Sequence, residues 1–119
     1  MNFQESQPIF MQIVDYLKEE ILQEKLLTND QVPSVRELAV RLGVNPNTAM
    51  RAYERLTIAE LIYMQRGKGY FVAQGARRKI LNERKKKLMN ETMPKIAAEI
   101  KLLGIDINEI MEVVTPHNA

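Results

Sequence analysis

Apolar side chains recur every three or four residues between residues 34 and 56, in two stretches separated by a glycine. The first stretch contains Val35, Leu38, Ala39 and Leu42, and the second contains Ala49, Ala52, Tyr53 and Leu56. Gly43 lies between them, and glycine readily adopts the left-handed conformation that ends a helix. The pattern predicts two short helices, over residues 34–42 and 46–60, joined by a tight turn.

Both predicted helices begin with residues that favour a helix start. Ser34 can cap the first helix, and Glu37, three residues later, can complete a capping box. Asn45 or Asn47 can cap the second helix, and Pro46 suits its first turn, where a missing N–H costs little. Small polar side chains therefore stand at the leading end of the second helix.

An amphipathic helix is predicted before this pair and a β-hairpin after it. Ile9, Ile13, Leu17 and Ile21 mark a helix from Pro8 to about Lys25, after which Leu26 and Leu27 are expected to pack inward. Two β-prone runs, 62–65 and 70–73, surround a basic turn over 66–69. A hairpin directly after a helix-turn-helix is a wing. A nucleotide-cradling loop at Gly67 and Gly69 is the alternative, but the spacing of the known glycine motifs is absent.

A second helical region follows residue 75, so we expect a domain over 1–75 and an appendage over 76–119. Its apolar residues step by four and three as in a heptad seam: Met89, Met93, Ile96, Ile100 and Leu103. Pro94 either kinks this helix or follows a new helix start capped by Thr92. A last helix presents Ile107, Ile110 and Met111 on its apolar face.

The appendage is too small to build a core alone, so its apolar faces need a partner. We expect that partner to be a second copy of the chain, because a two-fold dimer doubles the DNA contacts and matches a palindromic site. A hairpin folded back on its own domain is the alternative. The predicted fold is mainly α with a small β-hairpin: a winged helix-turn-helix domain plus a C-terminal helical dimerisation appendage.

Positive charge is concentrated in the middle of the chain. Of the 17 Lys and Arg residues, 13 lie between Arg36 and Lys87, where only 4 of the 15 Asp and Glu residues lie. This asymmetry indicates a surface that faces a polyanion. Polar amides and arginines at the start of a helix are what a DNA major groove accepts. An ordinary αα-hairpin is the alternative for the helix pair alone.

Several other classes of function find little support. The chain has no cysteine and one histidine, His117, so a zinc set cannot be completed and no metal or cofactor is expected. Ser34 has no histidine nearby to activate it as a nucleophile, so we do not expect an enzyme. No apolar run is long enough for a membrane span, and the first residues are unlike a signal peptide, so we expect a cytoplasmic protein.

Residues 8–73 closely resemble the DNA-binding domain of the GntR family of bacterial transcription regulators. The resemblance rests on residues 33–39 (PSVRELA), 42–48 (LGVNPNT), 51–53 (RAY) and 66–72 (RGKGYFV). The short two-helix tail is similar to that of the YtrA-like subfamily. Asn29 and Glu60 stand where family members usually have glycine.

The resemblance implies a winged helix-turn-helix that binds an operator in double-stranded DNA, usually as a repressor, and that dimerises through its C-terminal helices. The DNA-contacting residues that we expect are Ser34, Arg36, Asn45, Pro46, Asn47, Thr48, Arg51, Arg66, Gly67, Lys68, Gly69 and Tyr70. The chain has no room for the large effector domain or the aminotransferase-like extension of other branches. We therefore expect no pyridoxal phosphate; an unknown small-molecule effector stays open.

Two other functions remain as alternatives. A winged helix can also serve as a protein-interaction module, with the heptad seam pairing with a different chain. Binding to random duplex DNA that does not respond to salt would favour that reading, because counterion release would be missing. RNA binding is less well supported, because no aromatic platform for stacking bases is apparent.

Overall fold

A computed structural model describes residues 7–116 of the chain. Within residues 7–116 the elements are six α-helices, a two-stranded antiparallel sheet and one π-helical turn. Their bounds are α1 (Ile9–Leu22), α2 (Val35–Leu42), α3 (Pro46–Ile58), β1 (Ile62–Gln65), β2 (Gly69–Val72), α4 (Ala76–Lys87), the π turn (Leu88–Thr92), α5 (Met93–Leu103) and α6 (Ile107–Val114). The predicted fold class, mainly helical with a small hairpin, is confirmed.

The first three helices and the hairpin enclose one hydrophobic core. It is built from the apolar stripe of α1, from Leu38 of α2, and from Ala52, Tyr53 and Leu56 of α3. Leu61, Ile62 and Val72 of the hairpin region complete it on one side. The stripes that predicted the helix pair are therefore the faces that the helices bury. They are buried because removing apolar area from water is the main favourable term in folding.

The turn between α2 and α3 forms as its residues predict. Ser34 Oγ accepts a hydrogen bond of 3.1 Å from the Glu37 N–H, which is the first half of the expected capping box. Gly43 closes α2 in the left-handed conformation, with φ of 68°. Asn45 caps α3 through its side-chain oxygen, which accepts from the Asn47 N–H at 2.8 Å. Of the two cap candidates, Asn45 takes the role.

The hairpin acquires a short third edge from the segment before α2. β1 and β2 pair with Ile62 opposite Val72 and Gln65 opposite Gly69. The Val32 N–H donates to the Tyr70 carbonyl at 2.8 Å, and Gln31 bridges to Phe71. The wing is thereby attached to the chain that leads into the helix-turn-helix.

The two positions where the family usually has glycine are left-handed in this chain. Asn29 has φ of 68° and Glu60 has φ of 61°. Asparagine tolerates this region well, and Asn29 Oδ1 also accepts a 2.9 Å bond from the Tyr63 hydroxyl. Glutamate adopts this region less readily, because its Cβ crowds the following carbonyl oxygen and it lacks the short polar side chain with which asparagine hydrogen-bonds locally. The Glu60 carboxylate lies 3.3 Å from Lys79 Nζ at the surface.

Some expected boundaries differ by a few residues. α1 ends at Leu22 instead of near Lys25, since the chain turns through Glu24 at φ of 62°. As a result Leu27, expected to pack inward, is 54% exposed, whereas Leu26 packs on the core. α3 ends at Ile58 instead of residue 60, and Gly69 belongs to β2.

The start of α4 belongs to the winged domain. Ala76 and Ile80 are buried in its core. Arg77 Nε donates to the carbonyl of Leu22 at 3.0 Å and lies 3.4 Å from the Glu24 carboxylate, at the end of α1. Contacts divide the chain into two compact units between Asn82 and Glu83, and the functional boundary expected after residue 75 stays a prediction.

The second unit is helical and none of its described residues is buried. The backbone stays helical from the π turn into α5, and the Thr92 side chain makes no cap bond, so Thr92 does not act as a helix cap. Because Pro94 has no N–H to donate, the widened π turn before it accommodates the interruption. Asp106 and Glu109 form a full capping box at the start of α6.

We expect Glu60→Gly to raise the melting temperature of the protein by a few degrees. The substitution relieves a left-handed strain of about 1–2 kcal/mol, against about 0.5–1 kcal/mol of added unfolded-state entropy. The exposed ion pair with Lys79 contributes little. Thermal unfolding followed by circular dichroism measures the change.

Glu60→Ala is the matched control, because it loses the same ion pair and keeps the Cβ. It should be no more stable than the parent chain. Equal melting temperatures for the two variants would mean that residue 60 carries no conformational strain.

Candidate nucleic-acid interface

The leading end of α3 is open to solvent. Asn45, Pro46 and Asn47 are exposed and Thr48 is half-buried, whereas Ala49 directly after them is fully buried. The side-chain oxygen of Asn45 already accepts the helix-capping hydrogen bond from the Asn47 N–H. Because Asn47 is exposed and Thr48 is partly exposed, this turn offers uncharged hydrogen-bonding side chains to an incoming surface.

A second contact point lies at the start of α2. Ser34 and Arg36 are both exposed there. The Ser34 oxygen accepts the cap bond, which leaves its hydroxyl proton able to donate elsewhere. Arg36 carries a planar donor fork suited to a guanine edge or a phosphate. The exposed face of α2 thus adds a cation near a helix start.

Two arginines of α3 stack on an aromatic ring of α1. The guanidinium carbon of Arg51 lies 4.2 Å from the centroid of the Phe10 ring, and that of Arg55 lies 5.6 Å from it. Such cation–π contacts are worth about 0.5–1 kcal/mol at exposed sites. The ring therefore restricts the directions that both side chains take. Arg51 is among the residues expected from the sequence to contact DNA, but Phe10 is not. The position of Phe10 beside α3 results from the packing of α1 on α3, which no local sequence pattern indicates.

The wing tip is basic, exposed and anchored from behind. Arg66, Gly67 and Lys68 are all exposed. Gln31 Nε2 donates to the Lys68 carbonyl at 2.8 Å, so the turn is tied to the strand-like segment before α2. Gly69 has φ of 114°, and a Cβ at this residue would meet Gln31 Nε2 at 3.1 Å. Glycine at 69 thus permits both the backbone conformation and the close approach of Gln31.

Tyr70 is placed differently from the other expected contact residues. Its ring packs edge-on against Tyr53, with centroids 5.0 Å apart, and it is half-buried. The visible role of Tyr70 is to join the wing to α3. A contact between its hydroxyl and DNA stays a prediction.

The basic run after residue 76 is only partly available to an outside anion. Arg77 is held at the end of α1, and Lys79 pairs with Glu60. A phosphate contact by this run stays a prediction. Arg77 serves the packing of α4, because the carbonyls at the end of α1 attract cations. Lys85, Lys86 and Lys87 remain exposed.

The described part of the chain shows neither a cluster of metal ligands nor a membrane-spanning helix. Residues 7–116 contain no group of three or more metal-ligating side chains. His117 lies outside the described residues. Within the same range no helix is long and apolar enough to cross a membrane.

Curated relatives match nearly the whole chain. The uncharacterized HTH-type transcriptional regulator YhcF of Bacillus subtilis is 37% identical over 93% of this chain and 90% of its own. The HTH-type transcriptional repressor YtrA of the same organism is 31% identical over 90% of this chain and 82% of its own.

Solved structures match in fold as well as in sequence. A GntR family transcriptional regulator from Listeria monocytogenes superposes with a TM-score of 0.76 at 35% identity, over 98% of this chain and 100% of that one. The AraR DNA-binding domain, crystallised in complex with operator ORR3, has a TM-score of 0.56 at 29% identity over 61% of this chain and 88% of its own.

The family model described as bacterial regulatory proteins, gntR family, matches residues 10–72, which contain the helix pair and the wing. Together with the relatives that extend through the C-terminal helices, this match confirms the resemblance stated from the sequence. The chain belongs to the GntR family, in its YtrA-like subfamily, and is a DNA-binding transcription regulator and not an enzyme.

Proposed function

We propose that this regulator is a homodimeric repressor that binds a palindromic operator with its winged domains. The observation that carries the proposal is the open leading end of α3, flanked by Arg36 on one element and by the basic wing on another. These are the parts that a winged helix-turn-helix presents to one half-site of DNA.

In each half-site the start of α3 enters the major groove. Asn47 and Thr48 meet base edges there, and Arg36 donates two hydrogen bonds to a guanine or one to a phosphate. Arg51 lies one helical turn further along. Its guanidinium, directed by Phe10, contacts the DNA backbone and sets the depth of the helix in the groove.

The wing supplies a contact that does not depend on sequence. Gly67 brings the backbone of the turn close to the phosphates, and Arg66 and Lys68 add charge on either side of it. These charges release counterions, so the affinity for any duplex falls as salt rises. Gln31 keeps the turn in place before binding.

Dimerisation is supported by the exposed seam of the second unit. Ile100 and Ile110 are half-buried, and the other members of the seam are exposed: Met89, Met93, Ile96, Leu103, Ile107 and Met111. An apolar face of this extent, on helices without a core of their own, is stabilised by a partner. A second copy offers the same face, and a two-fold axis through it gives a symmetric pair of DNA-binding domains.

The sign of regulation rests on the relatives. YtrA of Bacillus subtilis, which matches most of the chain, is called a repressor. A small protein that occupies an operator excludes other proteins from the same groove, so repression needs no further domain.

Arg36→Ala should weaken binding to a preferred DNA site much more than binding to random DNA, and should leave the dimer intact. A preferred site is first selected from random duplexes with the parent protein. Losing a two-bond contact to a base costs about 1–3 kcal/mol, which is roughly 5- to 150-fold in affinity for that site. Gel-shift titration on the selected site and on random DNA measures the ratio.

Lys95→Ala removes one positive charge from α5 and is the control for net charge. It should retain the site preference of the parent. If Arg36→Ala binds the selected site as tightly as the parent does, Arg36 has no part in recognition.

Phe10→Leu should weaken DNA binding by a few-fold while the domain stays folded. Leucine keeps an apolar side chain at this position and removes the ring on which Arg51 and Arg55 stack. The two cations then lose their fixed direction and must be ordered on binding. Fluorescence anisotropy with the selected duplex gives the dissociation constant.

Phe10→Tyr is the matched control, because it keeps an aromatic face and should bind as the parent does. Equal binding by the Leu and Tyr variants would show that the ring does not prepare the arginines for DNA.

Ile96→Glu should convert the dimer into a monomer of 13.8 kDa. Ile96 is 41% exposed in the single chain, and a carboxylate in the seam would lose its hydration on pairing. Light scattering after gel filtration measures the mass, and circular dichroism checks that the helices persist.

Leu102→Glu is the matched control on the same helix, at a residue that lies outside the seam and is 84% exposed. It should remain dimeric. A monomeric parent, or a dimeric Ile96→Glu protein, would contradict pairing through this seam.

A further inference from the structure

A methionine lies on the outward face of α3, among the polar residues that face DNA in the proposed function. Met50 is 37% exposed, although the residue before it and the two after Arg51 are fully buried. The core face of α3 consists of Ala49, Ala52, Tyr53 and Leu56. Met50 lies beside that face, and more than a third of its side chain stays exposed, so packing within the chain covers only part of it.

Helical spacing places Met50 in the same row as the leading turn. Residues three and four apart lie on one face of a helix, so Met50 follows Asn47 and Pro46 directly along the helix axis. Within Pro46–Ile58 the exposed large hydrophobic residues are Met50 and Ile58. Ile58 ends the helix, whereas the base-reading residues of a helix-turn-helix lie toward its start.

The chemistry of the side chain restricts what it can recognise. A thioether is at best a weak hydrogen-bond acceptor, so it does not discriminate between the donors and acceptors of base edges. The one apolar group that the major groove presents is the C5-methyl group of thymine. The flexible, polarizable side chain of methionine adapts its shape to such a contact.

We propose that Met50 is a specificity-determining residue that contacts the C5-methyl group of a thymine in each half-site. The inference rests on the proposed insertion of α3 into the major groove. Met50 would add a preference for thymine by burying apolar area, whereas Arg36, Asn47 and Thr48 act through hydrogen bonds.

The test is a double-mutant cycle between Met50→Ala and removal of single methyl groups from the DNA. Each thymine of the selected site is replaced in turn by deoxyuridine, which has the same hydrogen-bonding edge without the methyl. For the parent protein, one symmetric pair of positions should lose about three- to fivefold in affinity per half-site, the scale of one buried methyl contact. Met50→Ala should lose a similar factor on the unmodified site and show no further loss at that pair.

Ile58→Ala is the matched control, since it also truncates an exposed apolar residue of α3. It should keep the parent's sensitivity to deoxyuridine at every position. Met50→Gln, close in size but polar, should lose the sensitivity as Met50→Ala does. Melting temperatures confirm that all variants are folded.

Three results would overturn the inference: a Met50→Ala protein with the parent's deoxyuridine sensitivity, a parent without any such sensitivity, or a selected site without thymine. In each of these the parent still prefers one sequence, so the proposed function stands. A parent that selects no sequence at all would instead contradict the proposed function.

Discussion

One buried tyrosine connects the three parts of the molecule that we propose to face DNA. Tyr53 of α3 is fully buried, and its hydroxyl donates to the carbonyl of Pro33, directly before the cap of α2. The ring of Tyr53 packs in a T-shaped contact with the ring of Tyr70 on the wing. Burial raises the pKa of the Tyr53 hydroxyl well above its usual range, so the proton needed for this bond is retained. The positions of Arg36, of the start of α3 and of the wing therefore depend on one another.

Around this centre, longer side chains prepare the surface before DNA arrives. Phe10 directs Arg51 and Arg55, and Gln31 holds the carbonyl of Lys68. Ordering such side chains only on binding would cost about 0.5–1.5 kcal/mol each. Because the contacts within the folded chain already order these side chains, part of this entropy loss occurs during folding and not on binding. Arg77 shows the opposite use of a cation, since its contacts with the end of α1 hold α4 in the winged domain.

Local sequence patterns predicted most of the helices and strands, but they could not predict contacts between residues that are distant in the sequence. The helix pair, its caps and its left-handed Gly43 follow from periodicity and from the conformational freedom of glycine, which act within a few residues. Phe10 and Arg51 meet only because α1 packs across α3, and nothing near either residue signals it. The exposed Leu27 was mispredicted because the early end of α1 at Leu22 redirected the chain. Pro94 indicated that the C-terminal helix is interrupted, but it did not indicate that the interruption takes the form of a π turn over Leu88–Thr92.

We propose that the start of α3, with Arg36 and the wing, forms the surface that meets the double helix. This surface can be mapped by recording the backbone amide chemical shifts of the labelled protein while a selected duplex is added. The largest changes are expected at residues 36, 47–51 and 66–68, with smaller ones along the core face of α3. Changes confined to α5 and α6, with the amides of the helix pair and wing unmoved at saturation, would contradict it.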